Sequence, residues 1–455
     1  MVTIKKQHSP LITQPLKTSP ATGATLASLG FQRTIPLMHG SQGCGAFTKI
    51  YLIQHLREPI PLQNTAIDQV SAVMGGDENL HDALKLLCEK QSPDMIAVMT
   101  TGLTEMQGSD IYRVIASFKK QYPQFEATRI VSMHTPDFTG SMQTGYVQAA
   151  DAIIRQLVMA PVKRDRQRKQ VNVLCSVGCT AADVETLRRY IEAFEIDAVF
   201  IPDLSRSLDG HLADEDYAPT STGGTSVLEV EMMSESELTL VIGPSFEPTA
   251  KWLQARFNIP YLHLGMGMTI DQTDQLIMAL SELSGVAVPA WINRARTRLQ
   301  DAMIDSHFLL SNERFVIGLE PDLASGYCEL LDSVGGQVVQ VVTSIDAPVL
   351  RSLKALEIEV GDLSRIDMQG NEAKLLISNT HAAQITEPDY PVLRAGYPCF
   401  DQFGNMDIRQ LGYEGCRERL FALANLLLHH HVDEVQPHIS RYRFSAEDVV
   451  HKGAA

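Results

Sequence analysis

Several things are missing from this chain, and each absence narrows what it does. No stretch approaches the run of about 18 apolar residues that a membrane-spanning helix requires. The opening MVTIKKQHSP carries basic residues but no apolar run behind them, so it does not read as a secretory signal. Basic charge is short: 38 Lys and Arg stand against 54 Asp and Glu, for a formal net charge of −16 at pH 7. That balance argues against a nucleic-acid surface, which shows a basic excess or stripe. The seven cysteines are odd in number and contain no CxxC pair. In a chain without a signal they read as reduced thiols or metal-bound thiolates of a reducing, cytoplasmic compartment. No GxGxxG follows a strand, no Walker A motif occurs, and no Gly-x-Ser-x-Gly elbow is present. Gly223-Gly224 follows Ser221-Thr222 rather than a strand, so nucleotide chemistry has no support.

What is present is an ordinary globular composition, 44% apolar and 20% charged. At 455 residues the chain exceeds a single core, which stops growing near about 250–300 residues. Short apolar runs alternate with longer helical stretches. Strands are predicted at 34–38, 95–99, 129–133, 171–175, 198–201, 238–242, 261–264, 315–319, 338–342 and 375–378. Most are apolar throughout, as strands buried on both faces of a parallel sheet are. Amphipathic segments such as 79–90 and 111–122 lie between them, so the class is α/β with mainly parallel sheets. The basic run Val162–Lys169 reads as a linker, and a second break falls near Pro289–Arg298 where a long helix begins. The expectation is an N-terminal arm (1–19), three Rossmann-like domains (20–165, 166–295, 296–435) and a polar tail (436–455).

In such sheets ligands bind beyond the carboxyl ends of strands. His39-Gly-Ser-Gln-Gly-Cys44 follows the first strand there. Gly43 and Gly45 would leave the space beside the Cys44 sulfur clear for a bulky inorganic cluster, whereas a lone cysteine is otherwise a small core residue. Gly75-Gly76 before Asp77 reads either as backbone amides facing a cluster or anion, or as a turn capped by Asp77. Thr100–Asp110 is a polar loop after a strand. Asp137, in Thr135–Gly145, is the one hard donor of its loop, or a turn residue. Cys175 and Cys179 could share a metal or form a redox pair, but the two further ligands such a site needs are not nearby. His429–His431 suit the last turn of a helix and point in different directions.

Taken in order, the segment 15–30, HGSQGC at 39–44, HLREP at 55–59, VMGG at 73–76, Thr100-Thr101, TPDFTG at 135–140, IPDLSRSLDG at 201–210 and LRAGYP at 393–398 resemble the nitrogenase component 1 family. The resemblance runs from about residue 15 to 435 and implies three Rossmann-like domains. It also departs from the family's catalytic β subunits, which carry two more cysteines, at the positions of Leu62 and Gly102 here, and a serine at that of Asp137. Leu and Gly cannot ligate iron. Cys44 is left as the one metal ligand, with Gly43, Gly45, Gly75 and Gly76 as cofactor-binding glycines.

This pattern resembles the family's cofactor-scaffold members. It implies a NifE-like partner subunit in an α2β2 heterotetramer and an Fe4S4 cluster shared with that partner. It further implies an iron-molybdenum cofactor precursor held mainly by the partner, a precursor donor, a nitrogenase acceptor, and docking of the nitrogenase iron protein. Two rivals stand beside it. One is an electron-transferring β subunit of a nitrogenase or of a related reductase acting on a tetrapyrrole. The other is a structural subunit whose Cys44 is only core.

Overall fold

The computed structural model describes residues 4–7, 14–161, 169–212, 218–387 and 389–434. Most of the basic linker and the polar tail lie outside the described residues.

Among the described residues every strand pairing is parallel, and three sheets form. Near the amino end, β1 (Ile4–Lys6) crosses to the last sheet to form, so the expected arm is in part a strand. The first sheet holds β2 (Thr34–His39), β3 (Gln63–Asn64), β4 (Met95–Thr100) and β5 (Arg129–Met133), in the order β3-β2-β4-β5. The second holds β6 (Gln170–Cys175), β7 (Asp197–Ile201), β8 (Leu238–Ile242) and β9 (Tyr261–His263), ordered β7-β6-β8-β9. The third adds β10 (Arg314–Gly318), β11 (Gln337–Thr343), β12 (Ala355–Val360), β13 (Leu375–Ser378) and β14 (Val392–Arg394), ordered β1-β12-β11-β10-β13-β14. Strands β2, β4 and β6 are buried along their whole length, which is why β2 and β4 read as mainly apolar runs; β6 carries the buried polar residues Gln170 and Asn172.

Two helix pairings fix how the units sit. Helix Pro20–Leu29 is buried along its whole length and lies against Met142–Leu157. A Cβ added at Gly23 would fall 1.9 Å from the Met142 carbonyl oxygen, and one at Gly145 1.8 Å from that of Pro20. Glycine alone permits so close a backbone approach. The long helix Ala290–Leu310 packs on the final helix, Gly412–Glu434, which also touches Ala181–Glu192 of the second unit. That final helix runs past His429 and His430 rather than ending at them. Among the described residues no helix is long and apolar enough to cross a membrane.

Candidate metal centre

The loops that follow β2, β3, β4 and β5 gather at one end of the first sheet. After β2 the chain turns through Gly40, where an added Cβ would meet the Thr101 side chain at 2.6 Å. It then enters helix Gln42–Leu56 with Ser41 as N-cap. The Ser41 hydroxyl does not cap the helix. It lies 3.5 Å from the Cys44 sulfur, in the first turn. Cys44 is half-buried, whereas the other six cysteines are buried.

Its cavity measures about 660 Å³ and is lined by Cys44, Phe47, Tyr51, Thr101, Asp137 and the lead-in segment 15–19. Two bonds hold that segment over the cavity. The Thr18 hydroxyl donates to the Tyr51 phenol oxygen at 3.0 Å, and the Ser19 hydroxyl donates to Asp137 Oδ1. The other Asp137 oxygen accepts weakly from the Gly102 amide at 3.4 Å. The flanking glycines differ. A Cβ at Gly43 would meet nothing within 4 Å, while one at Gly45 would lie 3.2 Å from Asn64 Nδ2, whose amide donates to the Ser41 carbonyl at 2.9 Å. Gly43 is thus on the open side and Gly45 is pressed against β3.

Leu62 is buried and shares a core cluster with Met38 and Leu52, against which Cys44 packs. Gly102 opens the short helix Gly102–Gln107, which occupies part of the expected polar loop. A Cβ there would sit 3.3 Å from Asp137 Oδ2. Neither position offers a metal donor.

Gly75 and Gly76 are not among the residues lining this cavity. Gly75 has φ +110°, and a Cβ at Gly76 would fall 2.8 Å from Ile67 and 3.0 Å from the His39 ring. Gly76 therefore lets the chain pass close to His39. That ring is buried between the hydroxyls of Thr65 (3.0 Å) and Ser109 (3.2 Å). Burial pulls its pKa down to about 4, against the opposing charge of Asp77. Asp77 is not the cap expected of it: Gly76 holds the N-cap position and Asp77 pairs with Arg113. Cys175 and Cys179 both lie in the core shared by the second and third sheets, and burial pushes both thiols far up. No group of three His, Cys, Asp or Glu side chains that could hold a metal ion occurs among the described residues.

Sequence reasoning missed the surface around the cavity. Phe47 is 77% exposed, Val73 85%, Met74 81% and Met106 80%, with Ile50, Val70 and Phe138 also open. They stand on the helices and loops that follow β2 to β5. So many large apolar groups left in water at one sheet end mark a surface that another protein covers. The one available signal was helix Gln42–Leu56 itself, which is apolar on nearly every side.

Three parallel sheets with helices between their strands, and one half-open thiol in the loops at the end of the first sheet, define a multi-unit α/β protein. The model of the nitrogenase component 1 type oxidoreductases matches residues 19–428, and the chain belongs to that family. Among its relatives, the nitrogenase iron-molybdenum cofactor biosynthesis protein NifN of Klebsiella pneumoniae is 41% identical, over 95% of each chain. The protein of the same name from a Nostoc species is 37% identical, over 94% of this chain and 96% of that one. A solved structure of nitrogenase Cp1 superposes with a TM-score of 0.88 at 27% identity, covering 96% of this chain and 98% of that one.

Proposed function

We propose that this chain is the β-like half of a scaffold on which the nitrogenase iron-molybdenum cofactor is assembled, and that Cys44 gives one thiolate to an Fe4S4 cluster completed by a NifE-like partner. The observation that carries this reading is the contrast between one half-open thiol and six buried ones, at a cavity rimmed by uncovered apolar side chains. The residues fit one corner of a cubane and no more. Leu62 and Gly102 bring no donor, so the remaining ligands come from across the interface. When bound, such a cluster relays single electrons through the complex.

This chain's own part follows from its residues. Cys44 lies in the first turn of its helix, where free backbone N–H groups favour an anionic group. Gly43 leaves the approach to the sulfur clear, Gly45 holds the turn against β3, and Gly75-Gly76 end the short helix Gln69–Met74, whose Val70, Val73 and Met74 are exposed. Phe47, Ile50, Met74 and Met106 supply contact area for the partner in an α2β2 heterotetramer and keep water from the metal. The cofactor precursor sits mainly in the partner. The complex receives it from a donor, exchanges electrons with the nitrogenase iron protein, and passes it to nitrogenase in the cytoplasm.

The test is anaerobic co-purification of the two subunits with Cys44 or with Cys44→Ala. The variant is expected to keep its partner on a sizing column while losing iron and the paramagnetic signature of the reduced cluster. Full iron content with an unchanged spectrum would reduce Cys44 to a core residue and sink the assignment.

A further inference from the structure

The segment that leads into helix Pro20–Leu29 runs from the third unit to the Cys44 cavity. β1 lies on the edge of the third sheet beside β12. Gln7 extends that contact: its amide donates to the Val360 carbonyl at 2.9 Å, and its side-chain oxygen accepts from the Asp362 amide at 2.8 Å. Further on, the Gln14 carbonyl accepts from the Leu363 amide at 2.9 Å. Leu16 is 4% exposed and packs with Val316, Val339 and Leu363 in a core of the third unit. Three residues later the chain is in the first unit, where Ser19 caps the wholly buried helix Pro20–Leu29. Residues 15–19 thus bridge two units, and all five line the Cys44 cavity.

This bridge is lightly held. Pro15 and Pro20 bracket it, and a residue that precedes a proline is kept out of the helical region. Ser19 accordingly sits at φ −57° and ψ 138°. The backbone from 15 to 18 joins no helix or strand, and among the described residues no backbone–backbone hydrogen bond reaches it. Pro15 is exposed and Lys17, Thr18 and Ser19 are half-buried, so the segment has solvent on one side and the cavity on the other. Over the cavity it is bound by two side-chain bonds, Thr18 to Tyr51 and Ser19 to Asp137. Single hydrogen bonds of this kind add little net stability, and stretches with so few backbone bonds are the first to open locally.

The two ends differ in strength. Helix Pro20–Leu29 is fixed by its burial and by the close glycine contacts with Met142–Leu157. The other end has no such hold. β1 is three residues on a sheet edge, and its ion pairs Lys5–Glu357 and Lys6–Asp346 involve lysines 58% and 59% exposed. Exposed pairs of this kind contribute little. Of residues 4–7 and 14–19, Leu16 alone is buried, so one apolar peg fastens the segment to the third unit. A fixed end, a weak end and a single peg between them make a hinge.

We propose that residues 15–19 are a detachable cover on the Cys44 cavity, hinged at Ser19-Pro20 and pegged by Leu16, whose release decides how large a group reaches the sulfur. Such a cover governs access to the thiol whatever the thiol holds, so it does not depend on the cluster reading. Because the other six cysteines are buried, thiol labelling of the folded chain reports on Cys44. The test treats the metal-free full-length chain with ethylmaleimide, a small reagent, and with fluorescein maleimide, a bulky one, each rate divided by that for free cysteine. Intact mass counts the labels: one for an opened cover, seven for an unfolded chain. In the parent the bulky reagent is expected to lag well behind the small one. Leu16→Ala is expected to speed the bulky reagent more than about tenfold at one thiol, because truncating a buried leucine frees the peg. Tyr51→Phe keeps the ring and loses the oxygen that accepts from Thr18; a gain of about fivefold is expected from one lost hydrogen bond. If Leu16→Ala takes up seven labels, Tyr51→Phe decides. Equal rates of the two reagents in the parent, or an unchanged bulky-reagent rate in either folded variant, would overturn the proposal.

Discussion

What a thiol can do depends on whether anything can reach it. Six of the seven cysteines lie in the core, where burial raises the pKa of Cys88, Cys175, Cys179, Cys328, Cys399 and Cys416 and holds them as inert thiols. Cys44 alone is half open. Besides His381, Asp137 faces the same cavity with a side chain of a kind that ligates iron. Its oxygens are engaged, one by Ser19 and the other, weakly, by the Gly102 amide. That geometry marks a loop anchor. Asp137→Asn is therefore expected to cost about 1 kcal/mol of stability through a weaker hold on Ser19. Iron per complex should remain at the wild-type level. Metal analysis beside a thermal melt separates the two roles, and iron loss matching that of Cys44→Ala would make Asp137 a ligand.

The element that delivers the cavity roof is the pair of helices Pro20–Leu29 and Met142–Leu157. Gly145→Ala puts a methyl carbon 1.8 Å from the Pro20 carbonyl oxygen, so the helices must part. We expect a loss of about 1–3 kcal/mol, seen as an earlier denaturant midpoint with an unchanged slope; an unshifted midpoint would contradict the close approach. The same scale explains what could be read from the chain beforehand. Strands such as β4, MIAVMT, are buried on both faces and declare themselves by apolar run alone. β12, ALEIEV, does not, because Glu357 and Glu359 interrupt it. It is completed by β1, more than three hundred residues earlier, through Lys5–Glu357 at 2.5 Å. β3 and β14 have only two and three residues, too few for any periodic signal. For the site, a cysteine between glycines after a strand was legible as a position. Its role came from family resemblance. Phe47 and Ile50 have the spacing of core residues on a helix, and the spread of apolar residues over nearly every side of that helix was the one sign that some of them face outward.

At the scale of the whole molecule, two buried carboxyls in one short stretch join the units. Glu320 accepts from Ser141 of the first unit at 2.8 Å and from Ser344 of its own at 2.7 Å, and Asp322 reaches the first and second. Burial dominates both, raising Glu320 to about 7 and Asp322 to about 6, despite the hydrogen bonds that favour charge. Because these carboxyls hold their protons more tightly folded than unfolded, folding takes up protons. Their contribution is most favourable at low pH and declines as pH rises through the ordinary carboxylate range to about 7. His39 and His55 act the other way: their folded pKa values of about 4 and about 3 lie below the unfolded one, so they cost stability as pH falls below the ordinary histidine range. The two windows overlap between about pH 4 and 7, so these opposed slopes largely cancel there. Glu320→Gln removes one slope and leaves the histidines untouched. Its stability relative to the parent should therefore improve by roughly 2–3 kcal/mol between pH 5 and pH 8. Denaturant titrations of both proteins at the two pH values measure that difference directly. Parallel pH profiles would mean that Glu320 is already charged when folded, and that the junction of the three units is wetter than its hydrogen bonds imply.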